Sequence, residues 1–188
     1  MNHGVDLSQI EALLKAAKDI TNHDEYVIIG SLSILGINTE QLPAEMKKSV
    51  DVDLYIKNDP NRTPELNNAL GEGSDFDIAN GYYADPCSPG LASLPEGWED
   101  RLIEYNFGEV KAFFLDPNDA AVSKYIRGGE RDHKWIQAGL KAGLLKMDII
   151  ERRIGSAPTL EGELEAARKQ MAQDRQDLGL RVSRGRER

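Results

Sequence analysis

From Val50 to Ile56 the chain alternates: Val50, Val52, Leu54 and Ile56 fall on one side, Asp51, Asp53 and Tyr55 on the other. Successive strand side chains point to opposite faces, so this run specifies a strand with one apolar face and one face bearing two carboxylates. Upstream, Tyr26-Val27-Ile28-Ile29 is short, rich in β-branched residues and ended by Gly30, the pattern of a buried strand. A sheet is therefore required, and one of its faces must stay polar around Asp51 and Asp53.

The remaining segments supply helices to cover that sheet. Ser8-Gln9-Ile10-Glu11 has the form of a capping box, and Leu7, Ile10, Leu13, Leu14, Ala17 and Ile20 recur at helical spacing, predicting a helix over Ser8 to Thr21. Leu32, Ile34, Leu35 and Ile37 suit a brief helix interrupted by Gly36, and Leu42-Pro43-Ala44 a loop. Thr63-Pro64-Glu65 fits a helix start with Thr63 as cap, ended by Gly71 and Gly73. Gly81 to Cys87 offers a third strand, and Leu102 to Phe114 a hairpin around Asn106-Phe107-Gly108. Helices are predicted from Asp116-Pro117 to Arg127, over Glu130 to Ala142, over Lys146 to Ile154 and over Leu160 to Asp177. The expected class is α/β (α+β), a mixed sheet with flanking helices and a helical C-terminal part. The expected divisions are a core over 1–115, a helical part over 116–180 and a basic, disordered tail over 181–188.

With 188 residues, 40% hydrophobic and 29% charged, the chain is long enough to bury a core. Its apolar runs fall far short of the ~20 residues that cross a bilayer, so no membrane association is expected and a cytoplasmic location is. A single cysteine, Cys87, excludes an intrachain disulfide and a thiolate metal cluster, and it reads as a packing residue. A net charge of −9 argues against broad nucleic-acid binding through phosphate contacts. A local basic surface remains open at Arg181, Arg184, Arg186 and Arg188.

Two carboxylates at i and i+2 on a strand stand about 6.6–6.8 Å apart at the backbone and project the same way. They can share divalent ions, and magnesium combines such carboxylates with water and substrate phosphate. Gly30 lets the backbone approach a phosphate closely, while Ser31 adds a hydroxyl donor at the start of the next turn. Each signal is weak by itself. Their order, strand, Gly-Ser, short helix, loop, Asp-x-Asp strand, is far less common.

In Ile29-Gly30-Ser31 and Ser49-Val50-Asp51-Val52-Asp53-Leu54 the chain resembles the nucleotidyltransferase superfamily that includes DNA polymerase beta, and within it the small bacterial members related to abortive-infection toxins. The segment Asp119-Ala120-Ala121-Val122-Ser123-Lys124, with Arg127 and Glu130-Arg131-Asp132, is similar to their lysine-bearing helix and the Arg/Lys-Asp step after it. The resemblance spans Tyr26 to Leu145 and implies an enzyme that moves a nucleoside monophosphate from a nucleoside triphosphate to a hydroxyl acceptor. It implies that Gly30 and Ser31 hold the triphosphate, that Asp51 and Asp53 bind Mg2+ or Mn2+, and that Lys124 contacts phosphate with Asp132 orienting it or another basic group. It also implies a third carboxylate that binds metal or takes the acceptor's proton. Asp85, at the end of the third strand, is the first choice, and Asp77 the alternative. RNA, protein and small molecules are all open as acceptors, and an antitoxin is an expected partner if the chain is a toxin.

Two other functions fit the sequence. Without a third carboxylate, the scaffold would be a nucleotide-binding or protein-interaction module that lacks turnover. An RNA-binding protein would act through the last helix and the arginine tail. His3, His23 and His133 lack metal-ligand spacing, and Trp98 and Trp135 read as core anchors, with base stacking a secondary role open to Trp98.

Overall fold

The computed structural model describes residues 4–37 and 40–181. His3 and the tail arginines Arg184, Arg186 and Arg188 lie outside the described residues. The fold is mixed α/β, in two compact units: one from residues up to Ala92 with Trp98–Asp116, the other from Ser93–Gly97 and from Pro117 on.

The first unit begins with α1 (Leu7–Thr21). Its cap is Asp6 rather than Ser8: the Asp6 carboxylate accepts from the Gln9 amide at 2.9 Å, and the Gln9 side chain returns to the Asp6 amide at 3.0 Å. Ser8 falls inside the first turn, donating to Asp6 at 2.6 Å. Strands β1 (Glu25–Ile28), β2 (Asp51–Ile56), β3 (Tyr83–Pro86), β4 (Ile103–Asn106) and β5 (Lys111–Phe114) form one sheet in the order β3-β2-β1-β5-β4. The β1–β2 and β4–β5 pairs are antiparallel, and the β1–β5 and β2–β3 pairs parallel.

Alternation sorts the sheet as its pattern requires. Tyr26, Ile28, Val52, Leu54, Ile56, Ala112 and Phe114 join Ile10, Leu13, Leu14 and Ala17 of α1 in one core. Each such fully buried Leu or Ile contributes about 1.5–3 kcal/mol. Asp51, Asp53, Tyr55 and Asp85 belong to the opposite face.

Short helices α2 (Asn67–Leu70) and α3 (Asp75–Asn80) sit between β2 and β3. The Thr63 cap is not formed. The 3-10 segment Pro60–Leu66 starts at Pro60, and Thr63 is buried within it, its hydroxyl accepting from the Ile56 amide at 2.9 Å. A β-strand's last amide thus outcompetes the local helix end for the threonine oxygen. Helix α3 carries no long apolar period and is set by Ser74, whose hydroxyl accepts from the Asp77 amide, and by Gly81 at φ +74°.

The second unit holds α4 (Pro117–Arg127), α5 (Glu130–Lys141), α6 (Met147–Ile154) and α7 (Glu161–Asp177), with α4 packed against the other three. Gly128, at φ +69°, turns the chain between α4 and α5. Trp135, Ile136 and Leu140 are buried with Ala167 and Met171, whereas Leu160 precedes α7 and is exposed. Two polar knots tie the helices: Arg153 donates to the fully buried Asp119 at 2.9 Å, and Asp174 accepts from Tyr125 at 2.7 Å. No described helix is long and apolar enough to cross a membrane.

Candidate active site

Strand β1 leads into Ile29 and Gly30, and the Ile29 amide donates to the Asp53 carbonyl at 3.0 Å, extending the β1–β2 pairing past the strand's end. Gly30 then turns at φ +69°, a conformation suited to glycine. A Cβ built there would lie 1.9 Å from Asp53 Oδ2, so the absent side chain is what makes room for that carboxylate. Ser31 opens the 3-10 segment Ser31–Ile37, anchored by the Ser33 hydroxyl, which donates to the Gly30 carbonyl at 2.8 Å.

The parallel pairing of β2 with β3 places Asp85 opposite Asp53 and Tyr83 opposite Asp51. Asp51, Asp53 and Asp85 each offer an oxygen, all within 4.8 Å of one another, with Asp51 and Asp53 half-buried and Asp85 exposed. The Ser49 hydroxyl donates to Asp51 Oδ1 at 2.6 Å, fixing one carboxylate's rotamer. Partial burial raises the Asp85 carboxyl above the usual carboxylate range, and the negative charges of Asp51 and Glu72 push it the same way. Crowded carboxylates of this kind are hard oxygen donors whose mutual repulsion a divalent cation relieves.

Asp77 is elsewhere engaged: at the start of α3 its carboxylate accepts from the Gly73 amide at 2.9 Å. Cys87 follows β3, donating its thiol to the Leu54 carbonyl at 3.4 Å. Burial, reinforced by Asp53 and Asp85, pushes that thiol up to about 12, which excludes it as a nucleophile at neutral pH.

In the helical unit, Lys124 and Asp132 meet. Lys124 Nζ donates to Asp132 Oδ1 at 2.9 Å and lies 4.9 Å from the centre of the Trp135 ring. Arg127 Nε donates to the same carboxylate at 2.6 Å. Burial disfavours the Asp132 charge, but Arg127 and Lys124 outweigh it and lower the carboxyl below its ordinary range. His133 contacts Asp174 at 2.7 Å, and Trp135 is buried among the helices.

Ser49 and Glu72 received no role in the sequence reading. Ser49 was within reach of a local argument, since a serine two residues before a strand aspartate can bond to it. Glu72 lies between Gly71 and Gly73, and only the folded chain brings its charge to bear on Asp85.

The mixed sheet thus sets a Gly-Ser turn against two strand carboxylates, with a third on the neighbouring strand. The chain belongs to the family described as nucleotidyltransferase of unknown function (DUF6036), which matches residues 6–178. Comparison with curated proteins and with solved structures gives no match.

Proposed function

We propose that this chain is a metal-dependent nucleotidyltransferase that moves a nucleoside monophosphate from a nucleoside triphosphate to a hydroxyl of RNA, protein or a small molecule in the cytoplasm. The observation that carries this is the gathering of Asp51, Asp53 and Asp85 within 4.8 Å, with Gly30 closed against Asp53. The family description supports the general activity. Asp51, Asp53 and Asp85 would hold Mg2+ or Mn2+. When bound, such ions neutralise phosphate charge and stabilise both the attacking and the leaving oxygen.

The chain's own residues then have separable roles. Gly30 admits the triphosphate close to the backbone, and Ser31 offers its hydroxyl together with the amides at the start of its 3-10 segment. Ser49 keeps Asp51 oriented. Asp85, the most exposed of the three carboxylates, takes the proton from the acceptor hydroxyl. That oxygen forms a bond to the α-phosphorus, the bond to the bridging oxygen of the β-phosphate breaks, and pyrophosphate leaves with the electron pair. The resemblance also supports Lys124 as a phosphate contact, and its 2.9 Å bond to Asp132 within the helical unit supports the orienting role of that carboxylate.

The test supplies each α-phosphate-labelled nucleoside triphosphate, Mg2+ or Mn2+, and a bulk extract of RNA and protein. Label transfer by the wild type, lost in Asp51→Asn and Asp53→Asn at unchanged thermal stability, is the expected result. Transfer undiminished in both variants would overturn the metal-site assignment, and binding without transfer would make the chain a non-catalytic nucleotide module. The resemblance to abortive-infection enzymes further supports a toxin opposed by an antitoxin, for which growth arrest on expression, relieved by Asp53→Asn, is the readout.

A further inference from the structure

The carboxylate face of the sheet continues past the three aspartates into a second feature. Tyr55 follows Asp53 by two residues on β2, so both side chains leave the same face, about 6.6–6.8 Å apart at the backbone. Tyr55 pairs with Val27 of β1, and both line a cavity of about 420 Å3, within the roughly 300–1,000 Å3 usual for small-molecule sites. Pro60, Pro89 and Leu102 give it flat apolar walls, and Lys57 and Glu99 add one charge of each sign.

Two side-chain polar groups there make no hydrogen bond or ion pair among the described residues. Tyr55 is only 4% exposed, yet its hydroxyl makes no hydrogen bond to a described residue. Among the described residues no side-chain oxygen or nitrogen shut off from solvent lacks a partner, so the Tyr55 hydroxyl is accessible, and Tyr55 lines the cavity. The Glu99 carboxylate likewise makes no ion pair or side-chain hydrogen bond among the described residues. It is close enough that, after burial, its charge is the next cause raising the Tyr55 hydroxyl pKa. Lys57 is committed to Glu25 at 3.5 Å and to the Phe113 ring at 4.5 Å from its centre.

We infer that this cavity takes the nucleobase of the donor triphosphate and that it selects guanine, an assignment that rests on the transferase activity proposed above. A ribose spans the gap between an α-phosphate at the carboxylates and a base beside Tyr55. The balanced charge of the lining suits a neutral planar ring better than a charged group, and the proline and leucine walls suit its faces. Guanine alone among the common bases presents a carbonyl oxygen next to two adjacent N–H donors. Tyr55 donates to the carbonyl, and Glu99 accepts from the ring N–H and the amino group. Adenine and cytosine would turn a ring-nitrogen lone pair toward the carboxylate, and uracil has one N–H between two carbonyls.

The test measures equilibrium binding of GTP, ATP, CTP, UTP and inosine triphosphate by calorimetry in Ca2+, to slow turnover, with label transfer measured in parallel in Mg2+. Expected are GTP affinity at least about tenfold above ATP, a lower affinity for inosine triphosphate, and loss of the preference in Glu99→Gln. Tyr55→Phe should weaken GTP about threefold or more and ATP little. Equal affinity for all the triphosphates, no effect of either substitution, or guanine selectivity on the acceptor instead of the donor would overturn the assignment. Transfer that depends on Asp53 but ignores Glu99 would sink the pocket alone. Absence of both nucleotide binding and transfer would sink the transferase reading with it.

Discussion

Replacing Asp132 by Asn is expected to destabilise the helical unit more than replacing either cation that faces it. The Asp132 carboxylate receives Lys124 Nζ at 2.9 Å and Arg127 Nε at 2.6 Å. The two cations differ in their alternatives: 4% of the Lys124 side chain is exposed, against 67% for Arg127. Arg127 can turn to water when the carboxylate is neutralised, a loss of about 0–1 kcal/mol for such an exposed partner. Lys124 is buried, and breaking a buried ion pair by removing one partner costs about 3–5 kcal/mol. For a chain of this size each kcal/mol moves Tm by about 2–4 °C, so Asp132→Asn should lower Tm by about 6–20 °C. Lys124→Met removes the buried charge, fills its space and leaves Asp132 with Arg127, and should cost less than half as much. Thermal melts followed by circular dichroism compare the two. A Tm for Asp132→Asn within about 2 °C of the wild type would refute the reasoning, as would Lys124→Met being the more damaging change. Because Lys124→Met should fold, its triphosphate affinity then reports on phosphate contact rather than on stability.

The pH dependence of that pair has a definite sign. The Asp132 carboxyl is lowered in the folded chain, so its contribution is full above the unfolded value near 3.8 and is lost as pH falls through the folded value. The Tm gap between wild type and Asp132→Asn should hold at neutral pH and shrink as pH falls below about 4, and an undiminished gap at pH ~2 would contradict the linkage. Asp174→Ala should cost at least about 2–3 kcal/mol in denaturant melts, because the fully buried carboxylate receives Tyr125 at 2.7 Å and contacts His133 at 2.7 Å and Gln170 at 3.2 Å. Thr63→Val should cost about 1–3 kcal/mol by leaving the Ile56 amide without its acceptor, and a neutral result would show that another group can replace the hydroxyl.

What was legible in the sequence was what short-range periodicity encodes. Alternation alone puts Asp51 and Asp53 on a common face, Asp116-Pro117 and Gly128-Gly129 bound the first C-terminal helix, and 3.6-residue spacing marks the last. Competition between nearby groups was not legible. Asp6 and Ser8 could both cap α1, and the difference is decided by which side chain meets the Gln9 amide. Still less legible was anything set by distant pairing. The sequence favours Asp85 over Asp77 only through its place at a strand end, whereas the parallel β2–β3 register puts Asp85 opposite Asp53. Asp174 carried no signal, since Tyr125 and His133 precede it by 49 and 41 residues.

The Gly-Ser step and the Asp-x-Asp strand, though separated by about twenty residues, are physically one feature. The Ile29 amide bonds to the Asp53 carbonyl, and the missing Cβ of Gly30 is the space that Asp53 Oδ2 occupies. A glycine is thus required by the carboxylate as well as by its own φ of +69°. Gly30→Ala must displace Asp53 and also strains the left-handed turn, the strain costing about 1–2 kcal/mol. The displacement disturbs the carboxylate cluster, so Gly30→Ala should abolish label transfer and weaken Mn2+ binding. If the contact is the reason, adding Asp53→Asn to Gly30→Ala should cause little further loss of Mn2+ affinity, because the two changes damage the same ligand. Additive losses in that double-mutant cycle would show that glycine serves the phosphate alone and that the two motifs act independently.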